Sequence, residues 1–224
     1  MHIYLQERVE IAPGQVQRYL AQVEAGWSNA ERLGPRCMGV WYTAGVTGRW
    51  HEVYFLWEFD DWAHYGRVIP IHRDAGPAAL VSWADPDWQL RTGGDSLTME
   101  PDSRSPSLAN LVESGVRGGL FMHEYIRVAP GKRQAYIDHY LENFLPATRK
   151  AGRELVGIWS LMSCANDVLI LLAMKDWEGY AAGMAGRQPD IQRVRWQESA
   201  PLLRHDYDLR LLVPGPRAMN PLAA

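Results

Sequence analysis

A strand-like stretch ending in Pro-Gly occurs twice in this chain, and the spacing between the two copies constrains the fold more than any other feature. The first reads Tyr4-Leu5-Gln6-Glu7-Arg8-Val9-Glu10-Ile11-Ala12-Pro13-Gly14. The second reads Phe121-Met122-His123-Glu124-Tyr125-Ile126-Arg127-Val128-Ala129-Pro130-Gly131, an offset of 117 residues. At that offset Glu124 falls on Glu7, Tyr136 on Tyr19 and Phe144 on Trp27. The correspondence then stays in phase. Gly157-Ile158-Trp159 answers Gly39-Val40-Trp41 at 118, Lys175-Asp176-Trp177 answers Asp60-Asp61-Trp62 at 115, and Trp196, Leu203-Arg204, Asp208 and Pro214 answer Trp83, Leu90-Arg91, Asp95 and Pro101 at 113. Small length changes confined to connections are the mark of an internal duplication.

Within the first copy, Leu5, Glu7, Val9 and Ile11 alternate with Tyr4, Gln6, Arg8 and Glu10, the period of a half-buried strand. Apolar residues then recur at Val16, Tyr19, Leu20, Val23, Trp27, Ala30 and Leu33, which predicts one long amphipathic helix from Pro13, closed by Gly34-Pro35. Cys37–Thr43 and Glu52–Phe59 read as a hairpin. Asp60-Asp61 caps a second helix interrupted at Pro70, a further helical stretch is expected from Pro77 to Ala84, and a last strand from Trp88 to Met99 carries Gly93-Gly94 as a bulge or bend. In the second copy Pro146 falls inside the first helix, where the offset moves from 117 to 118, so a kink is expected there.

The order β-α-β-β-α-β gives a four-stranded antiparallel sheet with both helices on one face. The expected fold class is therefore α+β: two tandem ferredoxin-like repeats, residues 1–101 and 120–214, packed sheet-to-sheet as an intramolecular dimeric α/β barrel with helices outside. Residues 102–119 are polar and rich in breakers, and read as a linker over the surface. Residues 215–224 read as a tail.

The chain resembles the dimeric α/β-barrel superfamily and, more narrowly, a tandem NIPSNAP-type protein. The residues that carry the resemblance are the strand followed by Pro13-Gly14 and Pro130-Gly131, the Gly-x-Trp at Gly39–Trp41 and Gly157–Trp159, and the helix starts Asp61-Trp62 and Asp176-Trp177. The resemblance implies a ligand site between helices and sheet, with Glu7 as its floor and His64 or His72 as a wall.

With a net charge of −3 and no basic run or basic helix face, the chain has no electrostatic footprint for nucleic acid or a membrane surface. No apolar run reaches the roughly 18 residues needed to span a bilayer, and no leader precedes the first strand, so a cytoplasmic location is the default expectation. The two cysteines, Cys37 and Cys164, lack the spacing of a zinc site. No Gly-rich phosphate loop, nucleophile elbow or metal-spaced cluster is present, so neither metal nor cofactor is expected.

Chemistry is sought first at Glu7 and Glu124, each in the middle of an otherwise apolar strand face. Burial there would raise the carboxyl's pKa towards what a general base or acid needs; the alternative is a structural pairing with Arg or backbone amides. His123 points to the opposite face, towards the sheet–sheet interior. Polar and aromatic groups concentrate in the first copy, where Tyr54, Trp57, His64 and His72 answer to Leu169, Leu172, Gly179 and Arg187 at an offset of 115. The candidate catalytic residues are thus Glu7, His64 and His72, and the candidate ligand contacts Tyr54, Trp57, Trp41, His123 and Glu124. The ten tryptophans suit an aromatic pocket or core packing. These readings point to a cofactor-independent isomerase, cyclase or oxygenase acting on a small aromatic or polyketide-like compound. The alternative is a non-catalytic ligand-binding or protein-interaction module of NIPSNAP type. Exposed outer strand edges would allow a homodimer.

Overall fold

The computed structural model describes residues 1–27, 34–45, 51–74, 90–185 and 191–224, with backbone alone for 70–74 and 185. The side chain of His72, the end of the first helix at Ala30 and Leu33, the helix expected from Pro77 to Ala84 and the strand start at Trp88 lie outside the described residues.

The first half runs β1 (Ile3–Ile11), α1 (Val16–Ala25), β2 (Arg36–Thr43), β3 (Glu52–Phe59), α2 (Trp62–Asp74) and β4 (Arg91–Pro101). Helix α2 continues through Pro70 rather than breaking there, because one missing backbone donor removes a single helix hydrogen bond. A connecting helix α3 (Leu108–Glu113) leads to β5 (Leu120–Val128), α4 (Arg133–His139), a π turn (Tyr140–Phe144), α5 (Leu145–Arg149), β6 (Arg153–Leu161), β7 (Asp167–Met174), α6 (Trp177–Ala185), α7 (Ile191–Leu203) and β8 (Arg204–Pro214).

The strands close into one antiparallel barrel in the order β1-β3-β2-β8-β5-β7-β6-β4, with β4 returning to β1. The halves join edge to edge at two short seams, where Trp41 faces Pro214 and Trp159 faces Pro101. These are the same pairing made twice, since Trp41 answers Trp159 and Pro101 answers Pro214. Closure also corrects the expectation of exposed outer edges: among the described residues each of these eight strands has a partner on both sides, so a homodimer would have to form through another surface.

Alternation along the strands sorts the core into three layers. Leu5, Val9, Phe55 and Trp57 pack outward on α1. Tyr4, Trp41, Tyr54, Phe121, Trp159 and Leu171 fill the barrel interior. Met122, Ile126, Ile170 and Leu172 pack outward on Tyr136, Tyr140 and Trp196 of the second half. Strand β3 is buried along its whole length and β7 beyond its first residue, which is why neither shows polar alternation.

The interior is built by exchange between the halves. Trp41 lies 5.2 Å from Phe121, and Trp159 lies 5.4 Å from Tyr4. His123 Nε2 sits 2.7 Å from Gln6 Oε1, so two repeat-equivalent residues meet across the centre. Burial first, then Arg210 and Arg8, pushes the His123 pKa down to about 3, so its ring is neutral. Each interior tryptophan folds back over the glycine two residues before it: a Cβ on Gly157 would lie 2.1 Å from the Trp159 indole, and one on Gly39 would lie 2.4 Å from that of Trp41. The strand register also shifts at both glycines, marking matched bulges.

Two connections differ from expectation. The 102–119 segment does not merely cross the surface. Ser107 and Asn110 form a capping box on α3, and Leu108 and Leu111 are buried in the interior cluster. The 215–224 tail is pinned as well, with Met219 and Leu222 buried and Asn220 Nδ2 donating to the Val40 carbonyl. The kink expected near Pro146 takes the form of the π turn, where the Leu145 N–H reaches back five residues to the Tyr140 carbonyl. One extra residue in the second copy's helix is what such a turn absorbs.

Replacing Gly157 with Ala should therefore cost about 1–3 kcal/mol through overpacking, where relief of a flexible strand glycine alone would have stabilised. In a Trp159→Leu background the same change should cost much less, because the clashing ring is gone. Denaturant unfolding of the four proteins measures this coupling, and additive costs would contradict it.

Candidate functional site

Strand β5 directs Met122, Glu124 and Ile126 towards its helices. Glu124 is 2% exposed, and its two oxygens are held by two tyrosines. Tyr140 Oη, from the π turn, donates to Oε2 at 3.0 Å, and Tyr207 Oη, from the start of β8, donates to Oε1 at 2.9 Å. Burial raises the Glu124 pKa above the usual carboxylate range, while the Tyr207 and Tyr140 hydroxyls and the charges of Arg204 and Arg153 offset part of the rise. Burial, and then the Glu124 charge, push both phenols far above their ordinary values, so they remain donors. The Arg204 guanidinium lies 4.4 Å from the Tyr207 ring centre and 5.9 Å from that of Trp196, fixing the tyrosine by a cation–π contact.

A cavity of about 240 Å³ opens against this carboxyl, lined by Met122, Phe144, Thr148, Arg153, Tyr207 and Leu209 among others. It lies between helices and sheet, the location implied by the family resemblance, in the second copy.

The first copy handles its carboxyl differently. Glu7 is half-buried and accepts from Trp57 Nε1 at 2.8 Å, and Trp57 stacks on Trp27 at 5.6 Å. The positions answering Tyr140 and Tyr207 are Val23 and Gly94. A Cβ on Gly94 would lie 2.3 Å from the Arg8 carbonyl oxygen, so this copy has no room for a tyrosine there. His64 sits in the first turn of α2, against Phe59 and 3.2 Å from Asp60. Phe59 is paired with Ile3 and Phe55 with Glu7, so His64 packs four residues along the strand from Glu7, roughly 13 Å.

Of the candidate ligand contacts, Tyr54, Trp41 and His123 face the barrel interior, so they do not share a cavity with Glu7 or Glu124. Alternation decides this: Trp57 points out from β3 and Tyr54 points in. Tyr54 Oη donates to Glu52 at 2.6 Å, and Glu52 pairs with Arg8 and Arg210, a buried ionic cluster that braces one end of the barrel. Tyr140, Tyr207 and Arg153 are not among the residues singled out from the sequence. The available signal was the contrast between copies, tyrosine against Val23 and Gly94. Among the described residues no group of three or more His, Cys, Asp or Glu is placed to hold a metal, and no helix is long and apolar enough to cross a membrane.

The raised pKa of Glu124 makes a testable link to stability. The folded state holds this proton more tightly than the unfolded chain, so its contribution is fully present below the unfolded pKa and is lost as pH rises through the folded one. Glu124→Gln, which stays neutral, should therefore gain in melting temperature relative to the wild type as pH rises across that window. A difference that is flat with pH, or falls, would contradict burial of the charge.

No protein-family model matches the sequence, and no curated protein matches it. Solved structures do. A candidate monooxygenase from Lactobacillus acidophilus has a TM-score of 0.64 at 11% identity, covering 96% of this chain and 94% of its own. An anthrone oxidase-like protein has a TM-score of 0.65 at 10% identity, covering 100% of this chain and 96% of its own. A NIPSNAP-like domain protein from Burkholderia xenovorans is 20% identical over 47% of this chain and 90% of its own, with a TM-score of 0.43. At these identities the first two likenesses show that the chain shares their eight-stranded α+β fold along nearly its whole length.

Proposed function

We propose that the chain is a duplicated ferredoxin-like barrel, its repeats spanning 1–101 and 120–214, that acts as a cofactor-independent enzyme on a small aromatic compound bound between helices and sheet. The observation that carries this reading is the Glu124 carboxyl, buried, bonded to two phenols and facing a cavity. A carboxylate whose charge is disfavoured takes up a proton readily, and a hydroxyl released as Glu124 is protonated can turn to donate to the oxygen that becomes negative as the substrate loses its proton. That pairing suits proton abstraction next to a carbonyl, the opening step of isomerisation, cyclisation or reaction of an enolate with oxygen. At about 240 Å³ the cavity is smaller than the roughly 300–1,000 Å³ usual for small-molecule sites, which favours compounds of one or two rings.

Glu124 carries the role better than Glu7, which is more exposed and has one indole donor. His64 and His72 are not required in this reading. The resemblance to an anthrone oxidase-like protein supports an enolisable aromatic ketone as substrate. The rival reading is a non-catalytic ligand-binding module.

The test uses 2-tetralone, a two-ring enolisable ketone, with exchange of its C1 hydrogens followed by NMR in D₂O. Wild-type protein should accelerate exchange, Glu124→Gln should lose about a hundredfold of that acceleration, the usual share of a positioned base, and Glu7→Gln should retain it. Loss at Glu7 alone would move the base to the first copy. Binding without exchange would favour the non-catalytic module.

A further inference from the structure

The cations beside Glu124 outnumber what the carboxyl needs. Arg153 lines the cavity, donates from one guanidinium nitrogen to Thr148 Oγ1 at 3.2 Å and lies 5.9 Å from the Tyr180 ring centre. Arg204 stacks on Tyr207 at the other side of the carboxyl. Among the described residues neither arginine forms an ion pair with a carboxylate, although elsewhere Arg8, Arg36, Arg104 and Arg210 all do. Glu124 feels the charge of both arginines but, among the described residues, forms an ion pair with neither, its oxygens accepting from the Tyr140 and Tyr207 hydroxyls. A half-buried guanidinium with most of its donors uncommitted, on the wall of a cavity, is suited to receive an anion in the forked geometry that carboxylates favour.

Resting on the reading of Glu124 as the working carboxyl, we infer that the compound this cavity takes is a small aryl acid, held with its carboxylate on Arg153 and its ring among Met122, Phe144 and Leu209. The apolar lining receives the ring and Arg153 receives the charge. The acid group thereby fixes which part of the molecule is presented to Glu124. An anion at Arg153 also neutralises one of the charges that favour ionised Glu124, so a bound acid would strengthen the carboxyl as a proton acceptor.

The experiment compares 2-naphthoate with 2-naphthamide, probes of one shape that differ in charge, by calorimetry on the intact chain. Wild-type protein should bind the acid at least about tenfold more tightly than the amide, the usual difference made by a charged hydrogen-bond pair. Arg153→Met should remove that preference by weakening the acid far more than the amide, and Arg153→Lys should restore part of it. Circular dichroism checks that the variants fold. As a measurement independent of any variant, added salt should weaken the acid and not the amide. Equal affinity for the two probes, a preference that survives Arg153→Met, or no binding of either probe would overturn the inference. Equal affinity alongside Glu124-dependent exchange of 2-tetralone would sink the aryl-acid assignment and leave proton transfer standing. A preference for the acid without such exchange would do the reverse.

Discussion

Each half of this chain makes a sheet whose inner face is covered only by the other half, and the edge-to-edge closure of the two sheets is the constraint on which the rest depends. The bulkiest side chains of the interior, Trp41, Trp159, Tyr4 and Phe121, are satisfied across the divide rather than within a repeat. Their fit requires Gly39 and Gly157, because each indole lies over its own strand where a Cβ would otherwise stand. The connecting helix and the C-terminal segment then close the ends with Leu108, Leu111 and Leu222. With the interior filled, the cavity against Glu124 lies between the outer face of its sheet and the helices.

Against this shared frame the two halves differ in what surrounds one strand position. Glu7 and Glu124 are equivalent in sequence and in register, Glu7 opposite Ser96 and Glu124 opposite Leu209. What differs is the company. The first copy spends its space on the stacked Trp27 and Trp57, whose indole N–H satisfies Glu7. The second sets a leucine, Leu172, where Trp57 would be, leaves a cavity, and brings in Tyr140 and Tyr207. A carboxyl held this way is a poor stabiliser, since desolvation opposes its charge. The proposed proton transfer rests on this difference.

The eight-stranded α+β fold was legible in the sequence because each signal is written twice: strand alternation, the Pro-Gly stops and the Gly-x-Trp pairs recur at a nearly constant offset. The faces of Glu7, Glu124 and His123 followed from alternation alone. The site was less legible, because its contacts join residues distant along the chain: Glu124 meets Tyr140 sixteen positions away and Tyr207 eighty-three away. Tyr140 was also disguised by a π turn, which shifts the helix face in a way that a regular period does not record. The tryptophans left two readings open, aromatic pocket or core packing, and Trp27 and Trp57 fit both: they belong to the first half's core and line a cavity of about 420 Å³ there.

The account turns on whether Glu124 is a carboxyl with unusual affinity for its proton. A ¹³C NMR titration of the glutamate side-chain carboxyls, with Glu124→Gln to assign the resonance, measures this directly. One carboxyl absent from the variant should remain protonated above the pH at which the exposed glutamates have ionised, and its midpoint should move further up when 2-naphthoate binds. A Glu124 resonance that titrates with the exposed glutamates, or below them, would contradict the account.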